Sequence, residues 1–399
     1  MSGTLGGALE RRLLSIVGGT IRVGRLTVSL PDGTEREFRG RFDGPQAHVD
    51  LHDWRLLRRL TSTGAIGLAD GYVAGEYDSP DLSAFLELAA WHLEPAYRYE
   101  VPGWLHAVGR TAWKLLGASA KPRGPLQDIV QHYDLGNDFY EAWLDETMTY
   151  SSAVFADERM TLAEAQAEKY RRLAAATGIG PGDHVLEIGS GWGGFAAMLA
   201  DEIGCHVTTI TVSKQQHDHV EKLIADRGLA DRVQAQLRDF RDVRGDYDHI
   251  VSVEMMESIP ASLWSPFFGQ LRSLTKPGGT IGLQLIEVAE HHWSISDTNL
   301  DFVRRYIFPG GQVPSEPVLR DLASAFGLRW RANREYGQDY ARTLRAWLAG
   351  FDAAWPSIRG MSAGFDDRFR RMWRYYLAYC GAGFAVGRVD VSQIVLERP

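Results

Sequence analysis

Beyond residue 160 the chain alternates between short apolar runs and longer amphipathic stretches. Met160 to Ala176 spaces its apolar residues at helical intervals, with Glu, Gln, Lys and Arg on the other side, and predicts a helix. His184 to Ile188 is a compact apolar run that predicts a strand. Cys205 to Val212, Val233 to Leu237, Asp248 to Val253 and Thr280 to Glu287 repeat the pattern. Between these runs, Phe195 to Ile203, Lys214 to Asp226 and Trp264 to Leu274 read as helices, the last ended by the stop signal Lys276-Pro277-Gly278-Gly279. Val391 to Leu396 is a candidate late edge strand. Such regular spacing predicts a doubly wound parallel sheet.

The first part of the chain has another rhythm. Thr20 to Leu30 alternates like a strand, Asp32-Gly33 reads as a hairpin turn, and Ala47 to Leu51 is a second strand. Ser79 to Trp91 starts with Ser-Pro-Asp and turns apolar at helical spacing, so Ser79 or Asp81 is the expected cap. This predicts a small α+β accessory domain over residues 1–120. A linker is expected at residues 120–125 and a second domain over 121–399. Ala289 to Pro314 and Tyr340 to Phe384 break the later rhythm. Rich in rings, they are expected to cover the C-terminal edge of the strands, where open α/β sheets bind ligands.

Composition narrows the function classes. The 399 residues are 45% apolar, enough for real cores, and the net charge of −8 disfavours a nucleic-acid partner. No run is long and apolar enough to span a bilayer and no signal-peptide pattern opens the chain, so a cytoplasmic protein is expected. Two cysteines, Cys205 and Cys380, are too few for a disulfide framework or a cysteine metal site; both are expected to be buried, and no metal is expected. Asp367-Arg-Phe-Arg-Arg-Met-Trp-Arg-Tyr-Tyr376 suits either an anionic lipid interface or a salt-bridged helix with a buried aromatic stripe, and the second reading is favoured. Arg304-Arg305-Tyr306 suits a structural bridge better than a lipid headgroup site.

The segment Val185-Leu-Glu-Ile-Gly-Ser-Gly-Trp-Gly-Gly194 carries the strongest chemical signal. A strand ends in Glu187, and glycines then let the backbone pass close to a ligand where a Cβ would clash. Rossmann dehydrogenases share such glycines. However, the second strand ends Thr209-Ile-Thr-Val-Ser-Lys-Gln-Gln216, without the acid that would accept nicotinamide-cofactor ribose hydroxyls. Asp239-Phe240, after the third strand, suits an adenine amine and ring; a loop cap is the plainer reading of Asp239.

Several segments then share a resemblance: Gln131-His-Tyr-Asp-Leu-Gly-Asn-Asp-Phe-Tyr140, Met148-Thr-Tyr-Ser-Ser152, Leu186 to Gly194, Thr211 to Gln216, Asp239-Phe-Arg-Asp242, Val253-Glu-Met-Met-Glu257, Arg305 to Gly310 and Asp339 to Leu344. Together they resemble the cyclopropane fatty acid synthases and mycolic-acid methyltransferases, which use S-adenosylmethionine. Gly67 to Asp81 is similar to the accessory domain of the longer bacterial members. The resemblance implies an α/β fold: a Rossmann-like class I methyltransferase sheet with helical lid insertions, plus the small N-terminal α+β accessory domain. It implies that Tyr133, Tyr150 and Ser151 touch the methionine end of the cofactor, that Gly189, Ser190 and Gly191 pass under it, that Thr211 and Gln216 face the ribose, and that Asp239 and Phe240 hold adenine.

In that family the acceptor is a cis alkene in a phospholipid acyl chain, and methyl transfer leaves a carbocation whose deprotonation helps choose the product. A bound bicarbonate is the family's base, held by a cysteine, a glutamate, a histidine and a tyrosine. Here the matching positions are Ser152, Glu257, Gln284 and Tyr340. Gln284 cannot carry the charge of a histidine, so a bound anion would feel less attraction. Two changes in one anion site place a methylene-branched product slightly ahead of a cyclopropane, with a reductase as the partner that would saturate it. The resemblance also implies transient contact with the inner membrane face and a homodimer. The rival readings are a methyltransferase for a small soluble acceptor, a non-catalytic lipid-binding protein and, weakest, an oxidoreductase.

Overall fold

The computed structural model describes residues 11, 14–16, 18–92, 135–290, 302–309 and 311–399. The expected linker at 120–125, Tyr133 and residues 291–301 of the first ring-rich stretch lie outside the described residues.

Two compact units divide the chain: one takes Met1–His132, Asp301–Ile307 and Trp355–Val386, the other Tyr133–Leu300, Phe308–Ala354 and Gly387–Pro399. In the first unit, β1 (Val23–Ser29), β2 (Glu35–Arg39), β3 (Phe42–Leu51) and β4 (Tyr77–Asp78) form a sheet in the order β2-β1-β3-β4. The turn at Asp32-Gly33 closes the β1–β2 hairpin, with Gly33 at φ 81°. Asp81 caps the Leu82–His92 helix by accepting from the Ala84 amide at 2.9 Å, while the Ser79 hydroxyl donates to the His48 carbonyl instead.

The Asp367–Ala385 helix belongs to this first unit and buries Phe369, Met372, Trp373, Tyr375 and Tyr376. Its Arg371 donates to the Tyr77 carbonyl at 2.6 Å and pairs with Asp78 at 2.7 Å. This is the salt-bridged helix with an aromatic stripe. Tyr306 is likewise buried, and its hydroxyl donates to Asp70 at 2.7 Å. The stretch expected as a single helical cover is therefore divided: Tyr340 to Ala354 goes with the second unit and Trp355 to Phe384 with the first.

The second unit is built on seven strands. These are β5 (His184–Ile188), β6 (His206–Thr211), β7 (Val233–Leu237), β8 (Tyr247–Val253), β9 (Thr275–Val288), β10 (Arg329–Glu335) and β11 (Val389–Glu397). Their order is β10-β11-β9-β8-β5-β6-β7, with β5 to β9 mutually parallel and β10 and β11 antiparallel. The chain runs outward from β5 to β7, then returns to β8 on the other side of β5. That reversal opens a crevice at the C-terminal ends of β5 and β8.

Leu186, Ile188, Ile210 and Ile250 enter one apolar cluster, and Val185, Val207 and Val251 enter another. Both faces of the central strands are thus covered, as parallel sheets require. The Leu162–Thr177 helix starts with a capping box, in which Thr161 accepts from the Glu164 amide and Glu164 accepts from the Thr161 amide.

Three sequence expectations need correction. Lys276 to Gly279 is a bulge inside β9: Tyr247 pairs with Thr275, but His249 already pairs with Thr280. Val389–Glu397 is not an edge strand, since it lies between β9 and β10. The edge on that side is Arg329–Glu335, whose charged, mostly exposed pattern lacks the apolar signature of a strand while protecting it from further pairing. Cys205 is buried as expected, but Cys380 is only half-buried.

Candidate active site

The crevice between β5 and β8 is a cavity of about 490 Å³. The floor is the glycine loop after β5. Gly189, Gly191 and Gly193 take φ values of 96°, 50° and 90°, which side chains resist. A Cβ on Gly189 would sit 3.3 Å from Met255, and one on Gly193 would sit 3.0 Å from Leu223. The loop amides of Gly189 and Ser190 both bond the Ile210 carbonyl, at 3.0 and 2.9 Å, which ties the turn to β6.

Tyr150, Ser151, Gly189, Ser190, Gly191, Thr211, Gln216, Asp239 and Phe240 all line this one cavity. Tyr133, the remaining expected cofactor residue, is outside the described residues. Thr211 donates to the Gln216 side chain at 2.8 Å. Asp239 accepts from the Arg241 amide at 2.9 Å and pairs with its guanidinium at 2.8 Å, so it caps its own loop. That pairing holds its carboxyl below the usual range. An aromatic wall is formed by Tyr140, whose ring lies 5.0 Å from Trp192 and 5.4 Å from Tyr150. Ring faces of this kind suit a cationic ligand.

Glu254, one residue past β8, is the acid on which several donors converge. Its backbone takes φ 49°, a conformation that costs a non-glycine residue about 1 kcal/mol. Three elements converge on it. The Ser152 amide donates to Oε1 at 2.8 Å, the Gln284 side-chain amide donates to Oε1 at 2.9 Å, and the Tyr340 hydroxyl donates to Oε2 at 2.7 Å. Burial pushes this carboxyl upward, against the pull of Lys169 and the three donors.

Ser152, Gln284 and Tyr340 are therefore gathered as the sequence expected, but around a different glutamate. Glu257 does not share these donors. Its Oε1 takes the Ile286 amide, and its Oε2 has no hydrogen-bond partner among the described residues. Burial and the neighbouring Glu254 raise it to about 8. Ser152 contributes its backbone, since its hydroxyl donates to the Ala153 carbonyl at 3.0 Å. Gln284 is held in turn by Gln393, which donates to its carbonyl at 3.0 Å.

Sequence reasoning also missed Lys169. It lies on the inner face of the Leu162–Thr177 helix, in register with buried Ala165 and Leu173. Its ammonium donates to Ser151 Oγ at 2.5 Å and Gln166 at 2.7 Å, and burial lowers it to about 7. The signal was present: a lysine inside an otherwise small and apolar helical stripe. Glu187, at the end of β5, accepts from Thr209 at 2.5 Å and is raised by burial to about 8.

A glycine floor, an aromatic wall and buried carboxylates at the switch point of this seven-stranded sheet define an S-adenosylmethionine-dependent methyltransferase. The residues suit that cofactor: the loop leaves room for close backbone approach, and the rings suit a sulfonium. The sequence profile of the mycolic acid cyclopropane synthetase family matches residues 120–394, and the chain belongs to that family. It is 36% identical over 358 residues to the tuberculostearic acid methyltransferase of Mycobacterium tuberculosis, covering 86% of this chain and 81% of that protein. It is 31% identical over 356 residues to the cyclopropane-fatty-acyl-phospholipid synthase of Escherichia coli K12, covering 88% of each. The crystal structure of the mycolic acid cyclopropane synthase CmaA1 complexed with SAH and CTAB superposes with a TM-score of 0.62. It is 28% identical and covers 70% of this chain and 100% of that one.

Proposed function

We propose that this enzyme methylates the cis double bond of unsaturated phospholipid acyl chains and delivers a methylene-branched chain. The observation that carries the reading is the composition of the cavity wall. Beyond the polar glycine loop the lining continues as Val212, Met255, Ile259, Leu263 and Phe308, with the Glu254 carboxylate among them. An apolar wall suits an acyl chain, and a buried acid suits the cation that alkene methylation produces.

The bound cofactor supplies an electrophilic methyl on its sulfonium. The chain's own residues do the rest. Tyr150, Ser151, Ser190, Gln216 and the glycine loop would hold the donor, while Tyr140 and Trp192 wall off its charged end. The apolar lining excludes water from the alkene, which is a weak nucleophile and needs close alignment. Carbon–carbon bond formation leaves a positive charge on the neighbouring alkene carbon. If a proton then leaves the new methyl group directly, the electron pair closes a cyclopropane. If a hydride first shifts from the methylated carbon to its neighbour, loss of a proton from that methyl leaves a methylene branch on the open chain. Both routes share the first step, and the cyclopropane is the second reading, favoured by the similarity to the E. coli synthase.

Contact with the bilayer surface is part of the proposal. Val212 is 74% exposed and Phe308 is 40% exposed, and both line the cavity, so apolar side chains face solvent where an acyl chain would enter. Among the described residues no helix is long and apolar enough to cross a membrane. A methylene product would need a separate reductase to become a methyl branch.

The test is incubation with methyl-labelled cofactor and vesicles of a cis-monounsaturated phosphatidylglycerol, followed by chain fragmentation and proton NMR. The C=CH2 protons of a methylene branch are expected. High-field ring protons would replace the methylene product by the cyclopropane, and label found only on small soluble acceptors would overturn the acyl reading.

A further inference from the structure

We infer that the carboxylate of Glu254 is the enzyme's built-in general base, standing where a separately bound anion would otherwise have to sit. The inference rests on the acyl-methylation reading above. It explains why one acid is singled out from several buried ones. Glu254 lines the cavity, whereas Glu257 does not. Its two oxygens are clamped from three directions, by the Ser152 amide, the Gln284 amide group and the Tyr340 hydroxyl, at 2.7 to 2.9 Å. These donors come from the loop before the Leu162–Thr177 helix, from β9 and from the Gly337–Met361 helix. A side chain held in this way is oriented in advance, and the arrangement is maintained against an unfavourable backbone at φ 49°.

The same geometry tests the fit of bicarbonate. The groups expected to cradle it are Ser152, Glu257, Gln284 and Tyr340, and the three donors among them already donate to a carboxylate of the chain itself. A second anion there would share their donors with Glu254 and lie beside Glu257, also an acid. The pocket does not fit it, and no step is routed through it.

The proton transfer balances without a further reactant. A C–H bond of the newly added methyl breaks, its electron pair forms the cyclopropane bond or the double bond of the methylene branch, and the proton goes to Glu254. The carbocation on the acyl chain is neutralised and Glu254 becomes a neutral acid, which returns its proton to solvent when product leaves. Lys169 assists from behind: its charge favours the ionised form of Glu254, opposing the burial that favours the acid.

The experiment measures label transfer from methyl-labelled cofactor to vesicles of 1-palmitoyl-2-oleoyl phosphatidylglycerol. Buffers are stripped of carbon dioxide or supplemented with millimolar bicarbonate. The wild-type rate is expected to change by less than about twofold, and Glu254→Gln to lose about 100-fold or more in turnover, the usual scale for a lost general base. Cofactor affinity of that variant, read by calorimetry, is expected to stay within about threefold, which also shows that it folds. Wild-type turnover that collapses without bicarbonate overturns the inference, whatever the variant does. So does a Glu254→Gln enzyme retaining more than a tenth of wild-type turnover. A wild-type enzyme that labels no acyl chain in any buffer instead overturns the acceptor reading on which this one stands.

Discussion

The Tyr340 hydroxyl donates to Glu254 Oε2 at 2.7 Å across 86 residues of sequence. One partner stands just past β8 and the other in the first turns of the Gly337–Met361 helix. The bond stabilises the ionised carboxylate, because it is made to the charged form.

Tyr340→Phe removes that donor and keeps the ring. The Glu254 carboxyl, already raised by burial above its ordinary value of 4.5, is then raised further. A base works only when deprotonated, so activity falls as pH drops through this value. The acid limb of kcat/KM in the variant is expected to move to higher pH by roughly half a unit to one unit. Superimposable pH profiles would show that the hydroxyl does not act on the base.

Gln284→Leu tests the second clamp. The buried amide donates to Glu254 and the Ser152 carbonyl and accepts from Gln393, so leucine removes three hydrogen bonds from the interior. A loss of about 2 kcal/mol in unfolding free energy is expected, together with reduced turnover. Denaturant titration reads the first, and a stability within error of wild type would count against the network.

Glu257→Gln separates electrostatics from geometry. The wild-type acid is raised from 4.5 to about 8 in the fold by burial and by Glu254. Between those values the native state binds a proton that the unfolded chain releases, so this group makes wild-type stability decline as pH rises from about 5 to 8. Glutamine does not ionise. The urea midpoint of the variant should therefore decline less steeply over that interval; parallel declines would mean that Glu257 titrates normally.

Gly189→Ala addresses the cofactor floor. The residue sits at φ 96°, and the added Cβ would press on Met255 at 3.3 Å. Weakening of S-adenosylmethionine binding by about tenfold or more is expected from the displaced loop. Calorimetry measures it directly, and unchanged affinity would place the cofactor elsewhere.

Much of the fold was legible in the pattern of residues. The runs at His184, Val233 and Lys214 become elements with the expected bounds: the His184 strand is buried on both faces, the Val233 strand alternates at the edge of the sheet, and the Lys214 helix is amphipathic. What escaped was whatever lacks that signature. The Arg329–Glu335 edge carries charges where an inner strand would carry apolar residues, and the Lys276–Gly279 bulge looks locally like a terminator. The glycine loop announced itself through spacing alone, since its function needs the absence of side chains.

The active-site acid was a different kind of problem. Glu254 and Glu257 stand three residues apart in one motif, and both are half-buried. By itself the chain determined the methyltransferase sheet, the cofactor floor and the residue types available to an acid–base site, because those follow from local pattern and backbone requirements. Only tertiary structure decided which glutamate receives the donors of Ser152, Gln284 and Tyr340. Hydrogen bonds act over about 3 Å, and the groups that make them are brought within that range by the packing of segments far apart in the chain.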